Sequence, residues 1–106
     1  MIGVMNNSKW EELRVAMYEL GPLHPQFRIK NLDREEPWRW DGEWFYHFRL
    51  GEYDSIEYVE LRVRSAEQRE LVRQRLRAIH LPGVETGDGF RIYGWIKRGE
   101  FVDYLG

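Results

Sequence analysis

Apolar positions along the chain fall first into a helical stripe and then into alternation. From Trp10 they recur at Leu13, Ala16, Met17 and Leu20, the spacing of an amphipathic helix. Ser8 and Glu11 stand before that stripe as an S-x-x-E capping box, and Gly21 followed by Pro22 ends it. Residues 1–7 are expected to form a flexible leader, with residues 8–106 as a single domain.

After Pro25 the period changes to two. In "PQFRIKNL", Phe27 and Ile29 alternate with Arg28 and Lys30, as in a half-buried strand. "WRW-DG-EWFYHF", residues 38–48, predicts a hairpin, because Asp41-Gly42 suits the positive φ angles of a type I′ turn. "IEYVELRV" is rich in β-formers, and its alternation falters at Tyr58-Val59, which points to a bulge or to burial on two sides. Ser65 and Gln68 repeat the capping-box pattern ahead of a second helix reaching about Ile79, with Val72, Leu76 and Ile79 inward and Leu71 and Ala78 flanking. A short strand at Val84–Thr86 and a C-terminal hairpin, "FRIYGWI" and "FVDYL" around Arg98-Gly99, complete the order α-β-β-β-β-α-β-β. The expected fold is α+β, an antiparallel sheet of five to six strands with two helices packed on one face.

Pairing across Asp41-Gly42 sorts the aromatic stretch into two faces. Trp38, Trp40, Glu43, Phe45 and His47 share one, and Arg39, Trp44, Tyr46 and Phe48 share the other. The C-terminal hairpin divides likewise, with Phe90, Ile92, Ile96, Phe101 and Leu105 as its core side and Arg91, Tyr93, Trp95, Val102 and Tyr104 opposite. A sheet with one solvated side has no need of rings on both. Three uses fit the second face: rings bridging the sheet to loops, a protein-binding or homodimer surface, or a platform for a planar ligand.

Composition narrows this choice. Five Trp, six Tyr and five Phe make the chain unusually aromatic, and the absence of cysteine excludes disulfides and thiolate chemistry. No run of residues is apolar enough to span a bilayer, and the N-terminal residues lack signal-peptide character, so a cytoplasmic location without membrane attachment is expected. Net charge is −2, which argues against general affinity for nucleic acid. Charge is uneven, however: residues 61–80 hold six Arg against two Glu. Arg69, Arg73 and Arg77 recur every fourth residue, which is either a solvated helix face or an electrostatic docking stripe for an acidic partner.

The ionisable inventory assembles into no catalytic or metal-binding pattern. His24, His47 and His80 are far apart in sequence, and His80 falls where a helix C-terminus favours a cation. No glycine motif for phosphate and no placed serine nucleophile is present, so no cofactor, metal or catalytic residue is assigned. The one acid–base possibility is a cleft using His47, Glu43 and Asp103.

Taken together, "NNSKWEELRVAMYEL", "WDGEWFYHF", "YDSIEYVEL" and "GFRIYGWIKRGEFVDYL" resemble a family of small uncharacterised bacterial proteins, a domain of unknown function, from Met5 to Leu105. The resemblance implies a bacterial cytosolic domain and carries no mechanism. The residues themselves favour a non-enzymatic protein-interaction domain contacting its partner through Trp38, Trp40, Asp41, Glu43, His47, Tyr93 and Trp95. Acidic Asp41, Glu43, Asp54 and Glu57 would then meet a basic partner, and a toxin-neutralising immunity protein is the sharper form of that expectation. The alternatives are self-association through the same face and the His47/Glu43 cleft.

Overall fold

The first helix, α1, spans Asn7–Tyr18 in the computed structural model, which describes residues 1–106. Its cap is Asn6, whose side chain accepts the Lys9 N–H at 2.8 Å, and not the expected Ser8. Asparagine caps as well as serine. Glu11, freed from a capping box, binds Arg14 and the Tyr53 hydroxyl instead. This start turns Trp10, Leu13, Arg14 and Met17 inward. Ahead of the helix, Ile2–Gly3 form a short strand, β1, so part of the stretch expected as a leader is tied down by backbone pairing. Gly21 takes φ +57 past the helix end, the left-handed role foreseen for it.

Strand β2 (Gln26–Asn31) pairs antiparallel with β3 (Ile56–Arg62). The register shifts between Lys30↔Tyr58 and Asn31↔Ile56, which leaves Glu57 as the extra residue of a β-bulge. The faltering alternation has this cause: Ile56 and Val59, three apart, are both buried.

Helix α2 (Ala66–Ile79) is capped by Ser65, which accepts the Gln68 N–H at 3.1 Å. The reciprocal half of the box is altered. Gln68 is buried, its Oε1 accepting the Arg64 N–H and its Nε2 donating to the Leu23 and His24 carbonyls, which anchors α2 to the connection after α1. Then follow β4 (Gly83–Glu85), β5 (Gly89–Tyr93) and β6 (Trp95–Ile96). The main sheet has the order β2-β3-β5-β4, antiparallel throughout, and β1 pairs with β6 in a separate two-stranded sheet. The fold is α+β, and its chain path holds two α-β-β units, α1-β2-β3 and α2-β4-β5, whose second strands meet at the sheet centre. No helix is long and apolar enough to cross a membrane.

One sheet face is apolar. Phe27, Leu61 and Phe90 stand in one cross-strand row, and Ile29, Val59 and Ile92 in the next; α1 and α2 supply Trp10, Leu13, Met17, Val72 and Leu76 to the same core. The opposite face carries Arg28, Glu60 and Arg91 in one row and Lys30, Tyr58 and Tyr93 in another. It is a half-buried face of paired charges and tyrosines.

Two expected hairpins are absent. Asp41-Gly42 is not a hairpin turn, since neither residue has a positive φ. The segment 38–41 pairs with β2 instead, and residues 44–46 form a turn followed by a 3₁₀ turn at His47–Arg49. Side chains capture the local backbone: Asp41 Oδ1 accepts the Glu43 N–H at 2.8 Å, and the Glu43 carboxylate accepts the Tyr46 and His47 N–H groups. Coiling puts Trp44 and Phe48, four apart, together in the core, where Phe27 packs against both rings. The alternating face assignment is thereby overturned: Trp44 and Phe48 are buried, whereas Phe45 and Tyr46 are exposed.

The predicted strand "FRIYGWI" breaks at Gly94, where a Cβ would lie 2.1 Å from the Ile56 carbonyl oxygen, so only glycine fits there. Beyond the break, β6 leaves the main sheet for β1. The C-terminal stretch turns at Gly99 (φ +90) and runs beside residues 81–83, with Gly83 donating to Asp103 and Leu105 to Leu81. Phe101, expected in the core, is fully exposed because its segment pairs with β4's approach and not with β6.

Candidate functional site

The concavity that gathers Trp38, Trp40, Asp41 and His47 lies at the β2 edge. Pro37, just before Trp38, favours an extended backbone at the preceding Glu36. Trp38 donates its N–H to the Ile29 carbonyl at 2.9 Å, and Asp41 exchanges two 2.8 Å bonds with Phe27. The chain then turns away at Gly42 and returns through Phe48, Leu50 and Glu52 to β3. Between the two limbs opens a cleft of about 890 Å³. Its floor is the core itself, Phe27, Ile29, Phe48 and Ile56, and its walls carry Trp38, Trp40, Leu50, Arg34, Arg39 and Glu52. Trp38 is 50% and Leu50 61% exposed, so two large apolar groups remain in water at its mouth.

Each wall residue is held differently. Trp38 donates its indole N–H to Asn31 Oδ1 at 2.6 Å, and the Arg34 guanidinium lies 3.5 Å from its ring centre. Trp40 is packed between Arg28 and Arg62, 4.6 and 4.3 Å from its ring, which sets it across the charged face of the sheet. Those arginines are occupied: Arg28 and Arg91 both bind Glu60, and Arg62 binds Gln26. Burial works against ionisation of Glu60, but hydrogen bonds from Arg91 and Arg28 outweigh it and hold the carboxyl below its ordinary range. Arg34 and Arg39, in contrast, have no carboxylate partner.

At the rim, His47 Nδ1 lies 2.8 Å from Asp41 Oδ2 and 3.9 Å from Glu43 Oε2. Asp41 is itself positioned by the Glu43 N–H. The Glu43 carboxyl is held below its usual range, first by the His47 backbone N–H. With Nδ1 given to Asp41, the imidazole has Nε2 to offer as a proton acceptor or donor. The lining holds no serine, threonine, lysine, tyrosine or cysteine; its ionisable groups are Arg34, Arg39, Asp41, His47 and Glu52. No cluster of His, Asp and Glu has the geometry of a metal site.

Trp38, Trp40, Asp41 and His47 thus come together, with Glu43 directly behind His47. Tyr93 and Trp95 do not join them. Tyr93 stands on the charged sheet face opposite Tyr58, and Trp95 packs over Gly3 with its indole N–H on the Asp54 carbonyl at 2.8 Å. Asp103 lies in the C-terminal stretch beside Gly83, away from the cleft. The expected acid surface is largely engaged: Asp41 binds His47, Glu43 caps a turn, and Glu57 binds Lys30 at 2.7 Å.

The arginine stripe is likewise folded inward. Arg69 reaches Glu85 and the Thr86, Gly87 and Gly89 carbonyls, and Arg73 binds Glu85 and Glu70; only Arg77 of the three is exposed. Arg69 and Arg73 clamp α2 to the β4–β5 turn, and Arg73 first, then Arg69, brings the Glu85 carboxyl down to about 2. His80 closes α2 in a left-handed conformation, φ 62, with Nδ1 3.0 Å from the Gly106 carbonyl and its ring stacked on Tyr104. Arg34, Asn31, Leu50 and Glu52 were not visible as site residues in sequence. The one hint was Pro37, whose restriction on Glu36 marks an extended entry to Trp38.

The chain belongs to a family of unknown function, DUF6678, which matches residues 1–99. No curated protein and no solved structure matches it.

Proposed function

We propose that this member of a family without an assigned activity is a non-enzymatic protein-recognition domain, cytoplasmic in location, with the β2-edge cleft as its contact surface. One observation carries this: Trp38 and Leu50 stay exposed on the lips of a cleft floored by core side chains. A partner's apolar side chain entering there exchanges water for core and aromatic side chains, as interface anchors do. A ring-lined cavity of about 890 Å³ is within the range that holds such a group. The toxin-neutralising form, in which exposed acids steer a basic partner, draws less support, because Asp41, Glu43 and Glu57 are already paired.

The test is affinity capture from the source cells with the wild-type chain and with a Trp38→Ala/Leu50→Ser variant of equal melting temperature. A partner retained by the first and lost by the second is the expected result. Identical captures, or none, overturn the proposal. Self-association is separated by light scattering at micromolar concentrations, where a concentration-dependent dimer lost in the variant makes a second copy the occupant.

The His47–Asp41 contact favours a second function, acid–base catalysis on a small ligand in the same cleft. A turnover that falls in both His47→Gln and Asp41→Asn, with ligand binding retained, is the result that would establish it.

A further inference from the structure

The backbone at the cleft's outer wall is half used. Asp41 and Trp38 direct their hydrogen bonds to β2, while Arg39 and Trp40 between them make no backbone hydrogen bond. In an antiparallel pairing, residues alternate between bonding the neighbouring strand and facing away from it. The N–H and C=O of Trp40, next to the inward-bonded Asp41, are left without backbone partners at this edge of the sheet. The other edge is already covered at its start, where Gly83 donates to Asp103 and Pro82 bridges Tyr104. Uncovered edge groups template an added strand.

Charge adds direction. Arg39 makes no hydrogen bond or ion pair, and Arg34 meets only the Trp38 ring and the Glu36 carbonyl. Glu52 lines the opposite wall without a cation partner. Within the lining, the unpaired cations thus stand on the edge side and the unpaired anion across the cleft, while the acids beside Arg34, namely Asp33, Glu35 and Glu36, lie outside the lining. We propose that the occupant is an extended acidic segment of another protein. It adds as a strand along Trp38–Asp41, inserts an apolar side chain between Trp38 and Leu50, and sets carboxylates against Arg39 and Arg34. This assignment rests on the cleft being a protein-recognition surface.

A random-peptide display library selected on the folded chain, and counter-selected on Trp38→Ala/Leu50→Ser, tests it. The retained peptides are expected to carry Asp or Glu beside an apolar residue. Their affinity should fall about tenfold on Arg34→Glu/Arg39→Glu, and less on Arg39→Gln, which removes charge without reversing it. Bound peptide should slow hydrogen exchange of the Trp40 amide. Retained peptides that are basic, that bind the charge-reversed chain equally, or that leave Trp40 exchange unchanged overturn the strand-and-charge assignment while the cleft remains a recognition surface. A library that yields nothing above the counter-selection removes the recognition surface itself.

Discussion

Asp41 and Phe27 exchange both of their backbone hydrogen bonds, each 2.8 Å long. That single bridge turns residues 38–41 into an outer edge of β2 and makes a hairpin across Asp41-Gly42 impossible. It divides the aromatic stretch by depth: Trp44 and Phe48 go under the sheet edge, and Trp38 stays at the surface.

Trp44 is a core residue, 2% exposed, with its indole N–H on the Pro25 carbonyl at 2.8 Å. Trp44→Ala should cost about 3–5 kcal/mol of stability, the range for emptying a large aromatic site. Trp44→Phe keeps much of the packing and should cost about 1–2 kcal/mol through the carbonyl left without a donor. Urea unfolding of the two variants gives both values.

Trp38, six positions earlier, should behave oppositely. Half of it is in water, so Trp38→Ala is expected to change stability by no more than about 1 kcal/mol while abolishing partner binding. A thermal melt beside a binding isotherm separates the two effects. A large loss of stability would show that Trp38 is structural.

Gln68 is 1% exposed and joins three backbone groups, those of Arg64, Leu23 and His24. Gln68→Ala should lower stability by about 3 kcal/mol, since each buried group left unsatisfied costs about 1–3 kcal/mol. Protection of the Arg64 amide against hydrogen exchange should fall in the same variant.

Glu85 gives a pH signature. Arg73, then Arg69, lowers its carboxyl from 4.5 to about 2. A depressed folded-state pKa stabilises above the ordinary value, and that contribution is lost as pH falls from about 4.5 to about 2. The group is largely exposed, so solvent screening limits the effect to no more than about 1 kcal/mol. Glu85→Gln should be less stable than wild type at neutral pH, and the two unfolding midpoints should converge at the acid end.

Legibility followed distance along the chain. The Ser65 cap of α2 was readable because donor and acceptor lie three residues apart. The bulge in β3 was readable because Ile56 and Val59 break a two-residue period within one strand. The arginine stripe was misread because Glu85, which draws in Arg69 and Arg73, lies 16 and 12 residues away across a turn. The hairpin was misread because the Asp-Gly signal is a local preference, outweighed by pairing with β2 and by burial of two rings four positions apart. Trp38, Trp40, Asp41 and His47 line one cleft, but its floor comes from β2 and β3 and not from a hairpin, and Glu43, Tyr93 and Trp95, named with them, are not in its lining.

By itself the sequence determined the α+β class, both amphipathic helices, the left-handed turn at Gly21 after α1, the cap of α2 and an aromatic stretch too large for one core. Each of these depends on groups a few residues apart, where hydrogen-bond satisfaction and apolar periodicity are settled locally. Only the tertiary structure decided which edge the segment 38–41 joins, which rings are buried, and which arginines remain without partners. Those outcomes depend on area and charge brought together from distant parts of the chain, and no local preference of about 1 kcal/mol prevails against the burial of an indole.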